Sequence, residues 1–232
     1  MVAENTLTLE DERRRLVRTR IVRAALGVLS DVGLDATVED IAARAGVGRR
    51  TIFRYFPTRE QLLIEALENA IRNYLEHIPS RNGADVWEWL DAVARAATEL
   101  NASYGIGYWQ LVLQTDSDGP FVDALANRRV RRQRWSREVA REAWLGAGGK
   151  GEPPDPLVQE FTLGLGPFTT AGLQIDAQLS VEGAADVAAR LLRSALQAAL
   201  DEFPAKGASR RERLTKSPNT TRSRAKSGVS DG

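Results

Sequence analysis

The sequence predicts an all-α protein: an N-terminal three-helix helix-turn-helix module followed by a larger C-terminal helical domain. Three observations predict it. Apolar residues recur at helical spacing through most of the 232-residue chain. No stretch shows sustained period-2 alternation with β-branched residues. Helix start and stop signals punctuate the pattern at short intervals.

The elements follow in order. Residues 1–10 read as a flexible arm. A first helix spans about Glu10 to Val32, with Val17, Ile21, Ala24, Ala25, Val28 and Val32 at helical spacing and Gly33 as its stop. Thr37 opens a second helix, with Asp40 three residues on, the spacing of a capping box with a shortened acid. Ala45-Gly46-Val47 closes it, because Gly46 can take the positive φ that a tight turn needs. A third helix spans about Arg49 to Phe56 and stops at Pro57. Thr58 and Gln61 form a full capping box for a fourth helix, whose stripe is Leu63, Leu67, Ala70, Ile71, Tyr74 and Ile78. The module therefore covers 11–57, with the reading motif at 38–57, and the larger domain covers 58–203.

Further helices are expected at about 84–103, 106–115, 120–146, 156–179 and 182–203. Gly164-Leu165-Gly166-Pro167 falls inside the fourth of these and predicts a kink or a break. The last helix is apolar over a wide arc: Val187, Leu191, Ala195 and Ala198 on one side, Leu192, Leu196 and Ala199 on the other. An arc that broad needs two covers, one of them the chain's own core. A partner subunit as the other makes the 156–179 and 182–203 helices a homodimer contact; complete burial within a monomer is the alternative. Residues 204–232 are Ser, Thr, Lys, Arg, Gly and Pro with almost no large apolar residue, and read as a disordered basic tail.

Composition excludes several classes. The chain has no cysteine and one histidine, His77. That leaves no disulfide, no thiolate metal site and no evident nucleophile–base pair, so no enzyme activity, metal or cofactor is expected. No apolar run approaches the ~20 residues that span a bilayer, and the N-terminus lacks an apolar signal core. A cytoplasmic protein with no membrane partner is expected. Charge is unevenly placed: residues 1–57 carry +2, 58–203 carry −7 and 204–232 carry +6. Arginine outnumbers lysine 28 to 4, which fits a GC-rich coding sequence as well as selection for arginine chemistry.

The second and third helices carry the functional signal. A helix-turn-helix braces one helix on the DNA backbone and sets the next in the major groove. Ile41, Ala42, Ala45, Val47, Ile52 and Phe56 would join the two helices and leave Arg49, Arg50, Arg54 and Tyr55 outside. Arg49 or Arg50 suits a guanine edge, with Thr51 beside them. Arg54, Tyr55 and Arg59 suit phosphate, and Thr37 and Thr58 sit at helix N-termini whose free N–H groups favour anions.

These residues also carry a family resemblance. Ala42-Ala43-Arg44-Ala45-Gly46-Val47, Thr51-Ile52-Phe53, Tyr55-Phe56 and Arg59-Glu60 resemble the TetR (tetracycline-repressor-like) family of bacterial regulators over about residues 13–70. Gly48 stands where the family usually has serine, Phe53 where tyrosine is frequent, and Arg59 where lysine is usual. Phe53, lacking a hydroxyl, is expected in the core. The resemblance implies a homodimer that binds a double-stranded, roughly palindromic DNA operator and represses transcription until a small-molecule effector releases it. It also implies a ligand pocket among the middle helices, for which Tyr108, Trp109, Phe121, Arg132, Trp135, Phe161 and Phe168 are the candidates; core packing is the alternative for each aromatic. Arg132 lies in a run of arginines that goes nearly all round a helix, so it either receives an anionic ligand or pairs with the acidic middle domain. The basic tail either adds non-specific DNA affinity or is dispensable. A ligand-independent DNA-binding or architectural protein, or a helical small-molecule binder with an incidental helix-turn-helix, are the other readings.

Overall fold

The computed structural model describes residues 8–113 and 119–204. Within them the chain forms ten α-helices and no strand. These are α1 (Leu9–Val32), α2 (Val38–Ala45), α3 (Arg49–Tyr55), α4 (Arg59–His77), α5 (Val86–Ser103), α6 (Gly105–Leu113), α7 (Val122–Gly146), α8 (Asp155–Gly164), α9 (Pro167–Ile175) and α10 (Val181–Glu202). The all-α expectation holds, and most element boundaries fall within two residues of those read from caps and spacing, except that the helix expected to reach 179 ends at Ile175. The basic tail lies outside the described residues.

Local chemistry sets the helix ends. Helix α1 starts at Leu9, so Leu9 and Glu10 belong to the helix and not to an arm. Its start is a capping box: the Asp11 N–H donates to Thr8 Oγ1 (3.2 Å) and the Thr8 N–H donates to the Asp11 carboxylate (3.3 Å). The hydrogen bonds from Thr8 hold the Asp11 carboxyl below the usual carboxylate range. Thr37 and Asp40 repeat the box at α2, at 3.1 and 3.3 Å. At α4 only half of the expected box forms, since Thr58 Oγ1 accepts from the Gln61 N–H without a return bond. Each such cap contributes about 1 kcal/mol.

Two apolar clusters hold the molecule together. The first joins α1, α2, α3 and the N-terminal half of α4, and it continues into α6 and the first turn of α7 through Tyr108, Trp109, Leu111 and Leu125. The second joins the end of α4 to α5, α7, α8 and α10 around Phe161, Leu90, Leu157 and Leu165. The core of the N-terminal module thus does not stop at residue 57. Helix α1 is buried on several sides from Ile21 to Ser30 for this reason, while Val32, placed by spacing on the same stripe, is 47% exposed at the helix end.

The contact between α1 and α6 is backbone on backbone. A Cβ at Gly107 would lie 2.4 Å from the Gly33 nitrogen and 2.6 Å from the Leu29 carbonyl oxygen. A Cβ at Gly105, whose φ is +66°, would lie 2.8 Å from the Ser30 carbonyl oxygen. Only glycine permits such an approach.

The expected interruption near Pro167 is a complete break. Helix α8 ends at Gly164 and α9 begins at Pro167, whose missing N–H is no loss in a first helical turn. The break frees the Leu165 carbonyl, which accepts from the Tyr74 hydroxyl (2.8 Å) and from the Asn101 side-chain amide (3.2 Å). Burial pushes the Tyr74 phenol up to about 12, so it stays a neutral donor across ordinary pH.

Candidate functional site

The α2–α3 corner is built from the turn outward. Gly46 adopts the left-handed conformation (φ 62°, ψ 41°), and the Val47 N–H closes the turn onto the Ala42 carbonyl at 3.1 Å. Ile41, Ala42, Ala45, Ile52 and Phe56 are buried and Val47 is half-buried, as the sequence requires of the joint between the two helices. Arg18 of α1 stacks 4.7 Å over the Phe56 ring and pairs with Glu65, tying α3 to α1 and α4.

The outer face of α3 follows from that packing. Arg49, Arg50 and Arg54 are exposed, while Thr51 and Tyr55 are half-buried. Arg49 pairs with Glu39 of α2 at 2.5 Å, both side chains largely in solvent. Such a pair contributes little and is readily exchanged. Arg50 has no ion-pair or hydrogen-bond partner among the described residues. Arg54 lies 5.4 Å over the Tyr55 ring. Thr37 and Thr58 are exposed at the starts of α2 and α4, with their hydroxyl oxygens engaged as caps.

Two expectations change. Phe53 is 42% exposed on the outer face of α3, not in the core. On so short a helix the inward positions are Ile52 and Phe56, four residues apart, and Phe53 is turned about 100° away from Ile52. Arg59 turns inward: its Nε donates to the Ala36 carbonyl (2.6 Å) and its Nη2 to the Leu34 carbonyl. It clamps the start of α4 to the turn after α1, leaving little of the guanidinium for phosphate. No local signal distinguished this role, because both acceptors lie more than twenty residues away.

Gly48 precedes α3 with no side-chain cap, and a Cβ there would meet nothing within 4 Å. Its φ of −78° suits any residue. Gly48→Ser is therefore expected to stabilise the protein by a few tenths of a kcal/mol. The check is a small rise in Tm; a fall would show that the corner resists a side chain there.

A cavity of about 710 Å³ lies between α7 and the α8–α9 break. Arg128, Arg132, Val158, Thr162, Leu163 and Phe168 are among its walls. Of the seven residues proposed from sequence it brings together only Arg132 and Phe168. Phe161 is fully buried in the second cluster; Trp109 is buried, its Nε1 donating to the Asn101 carbonyl (3.0 Å). Phe121 packs on the first cluster. These three fill core, as large aromatics at inward helical positions do. Tyr108 and Trp135 line only a narrow crevice of about 10 Å³ together with Arg128 and Arg132. Sequence spacing pointed to Arg132 and missed Arg128, which is 6% exposed.

The two arginines are held by neutral groups. Arg128 Nε donates to the Tyr108 hydroxyl (3.1 Å) and its guanidinium lies 5.5 Å over that ring. Arg132 Nη2 donates to the Thr162 carbonyl (3.1 Å), with the guanidinium 5.8 Å over Tyr74. Burial presses the Arg132 pKa down; Tyr74 opposes the shift and Arg128 adds to it.

Comparison with known proteins agrees with the geometry of the corner. Residues 21–66 match the family model described as bacterial regulatory proteins, tetR family. The chain is 35% identical over 75 residues to the HTH-type transcriptional regulator YvdT of Bacillus subtilis, covering 31% of this chain and 39% of that one. It is 46% identical over 56 residues to the HTH-type transcriptional repressor LfrR of Mycolicibacterium smegmatis, covering 24% and 29%. The chain thus spans well under half the length of these curated relatives. The structure of the regulator FadR from Bacillus subtilis in complex with stearoyl-CoA superposes with a TM-score of 0.57 at 21% identity, covering 77% of this chain and 97% of that one. At that identity the likeness concerns the fold. These relatives are regulators and not enzymes, and among the described residues no helix is long and apolar enough to cross a membrane.

Proposed function

We propose that this chain, whose residues 21–66 match the tetR family of bacterial regulatory proteins, is a helix-turn-helix transcriptional regulator, a dimeric repressor released from its operator by a small molecule. The proposal rests on the outer face of α3, where Arg50 and Arg54 have no ion pair among the described residues and stand beside an exposed Phe53. Arg50 reads a guanine edge, with Arg49 joining once it leaves Glu39. Phe53 offers an apolar face to a thymine methyl. Arg54, Tyr55 and the helix starts at Thr37 and Thr58 take phosphates, which set orientation without reading sequence. Repression is favoured by the likeness to a protein named a repressor.

A dimer is supported by what α8, α9 and α10 leave uncovered. Leu192, Leu196 and Ala199 of α10 are buried, but Leu191 is 50% exposed and Ala198 is also outside. Leu163, Phe168 and Ile175 extend the exposed apolar surface. A second copy would cover this face and place two α3 helices ~34–36 Å apart, one turn of DNA, or somewhat more. Leu191→Glu is expected to move the protein from dimer to monomer in sedimentation at micromolar concentration and to weaken operator binding at least tenfold. A variant that remains dimeric would place the interface elsewhere.

Release follows from the shared core. A ligand between α7, α8 and α9 touches Arg132, which lies over Tyr74 of α4. Helix α4 carries Arg59 and the α2–α3 corner at its other end, and α6 grips α1 through Gly107. A ligand that prefers one arrangement of α4 and α6 shifts the spacing of the two reading helices and thereby the operator affinity. A footprint on the DNA flanking its gene, repeated with candidate ligands, tests the proposal. Protection lost on adding ligand supports it; no protected sequence would contradict it.

A further inference from the structure

Arg72, Arg129, Arg131 and Arg190 of the large domain have no carboxylate partner among the described residues, but they are exposed and water serves them. Arg81, Arg95, Arg134, Arg137, Arg141 and Arg193 each pair with a carboxylate, and all are accessible to water to some degree. Arg128, which is buried, and Arg132, which is half-buried, pair with none among the described residues. This is the reverse of what burial demands, since a guanidinium removed from water without a counter-charge is destabilising. The domain has acids to spare, with 21 Asp and Glu over residues 58–203.

Both side chains also keep most of their donors. A guanidinium has five N–H groups. Arg128 uses one on the Tyr108 hydroxyl and Arg132 one on the Thr162 carbonyl. Four residues apart on α7, they share a helix face, and both line the 710 Å³ cavity. Among the described residues its walls hold five arginines and no Asp or Glu, and two of the five, Arg134 and Arg137, pair with Glu138 and Asp155 outside the walls. Opposite them, Val112, Val158, Leu163, Pro167 and Phe168 form an apolar wall.

We propose that this cavity binds an amphipathic anion, with Arg128 and Arg132 holding its carboxylate or phosphate and the apolar wall holding its body. The ligand supplies the counter-charge that the protein withholds, so the bound state is the one in which both arginines are satisfied. The charge asymmetry of the walls excludes a cation of the same shape. The Tyr108 and Tyr74 rings, 5.5 and 5.8 Å from the two guanidiniums, add a weak attraction but no counter-charge. The cavity volume falls in the ordinary range for small-molecule sites, ~300–1,000 Å³. The inference rests on the ligand-responsive reading above and names the chemistry of that ligand.

Calorimetry and thermal melting of the full chain without DNA test it, with four probes of one chain length: dodecanoate, dodecyl phosphate, 1-dodecanol and dodecyltrimethylammonium. One or both anions are expected to bind at least about tenfold more tightly than the alcohol, and the cation not to raise Tm. Which anion binds more tightly decides between carboxylate and phosphate. Arg132→Gln and Arg128→Met are each expected to lower anion affinity at least about tenfold while leaving alcohol affinity within about twofold. Arg128→Met removes an uncompensated buried charge, so its unliganded Tm should not fall far. Equal affinity for anion and alcohol, full anion binding by both variants, or no anion-induced shift at all would overturn the proposal. The readout does not involve DNA, so this failure is separable from failure to find an operator.

Discussion

Gly107→Ala is expected to destabilise the protein by about 3 kcal/mol, the upper end of what overpacking a tight contact costs, and to lower Tm by roughly 6–12 °C. The added methyl would sit 2.4 Å from the Gly33 nitrogen and 2.6 Å from the Leu29 carbonyl oxygen. Both are backbone atoms of the α1 terminus, so no side chain can swing aside to make room. The neighbouring Ile106 is 52% exposed, and Ile106→Ala should stay within about 0.5 kcal/mol. The pair of melts isolates the close approach from any general sensitivity of α6. Gly107 is also where the ligand-binding helices meet the module that carries α3. Material of the alanine variant that folds should therefore show an altered ratio of operator affinity with and without ligand. A variant with wild-type Tm and wild-type ligand response would show that α6 does not grip α1 in solution.

The second large effect is at the reading helix. Arg50→Ala is expected to weaken operator binding by about 1–3 kcal/mol, or ~5–150-fold, at each half-site and to relax discrimination at one base pair. Arg54→Ala should behave differently. It removes a phosphate contact, so binding falls evenly across sequences and the dependence of affinity on salt becomes shallower by about one released ion per half-site. Competition between the operator and single-base variants, at two salt concentrations, separates the two. If Arg50→Ala weakened all sequences alike, Arg50 would be a phosphate contact and the reading would pass to Arg49, Thr51 and Phe53.

What was legible in the sequence follows from the range of each interaction. The Thr37–Asp40 box, the left-handed Gly46 and the break at Pro167 are decided within a few residues, and each lies where those residues place it. The apolar arc of α10 could be read as too wide for one cover, and Leu191 is indeed left outside. Long-range choices were not legible. Arg59 had the composition of a phosphate contact and spends its guanidinium on the Ala36 and Leu34 carbonyls. Phe53 lacked a hydroxyl and so resembled core, yet Ile52 and Phe56 take the inward face of α3. Among the middle helices, aromatic residues were weak guides, since Trp109 and Phe161 pack as core. Charge was the better guide for Arg132: a run of arginines longer than one solvent-facing stripe turns some of them from solvent, though Arg128, in the same run, was not singled out.

The central claim is that this protein recognises a specific two-fold DNA site through α3, and binding of the full chain to its own flanking DNA tests it most directly. The measurement is protection of that DNA across a salt titration, with a scrambled sequence of equal length as reference. A protected, roughly palindromic site is expected, bound at least about a thousandfold more tightly than the scrambled sequence, with log affinity falling linearly in log salt. Equal affinity for the two sequences, or affinity insensitive to salt, would contradict it.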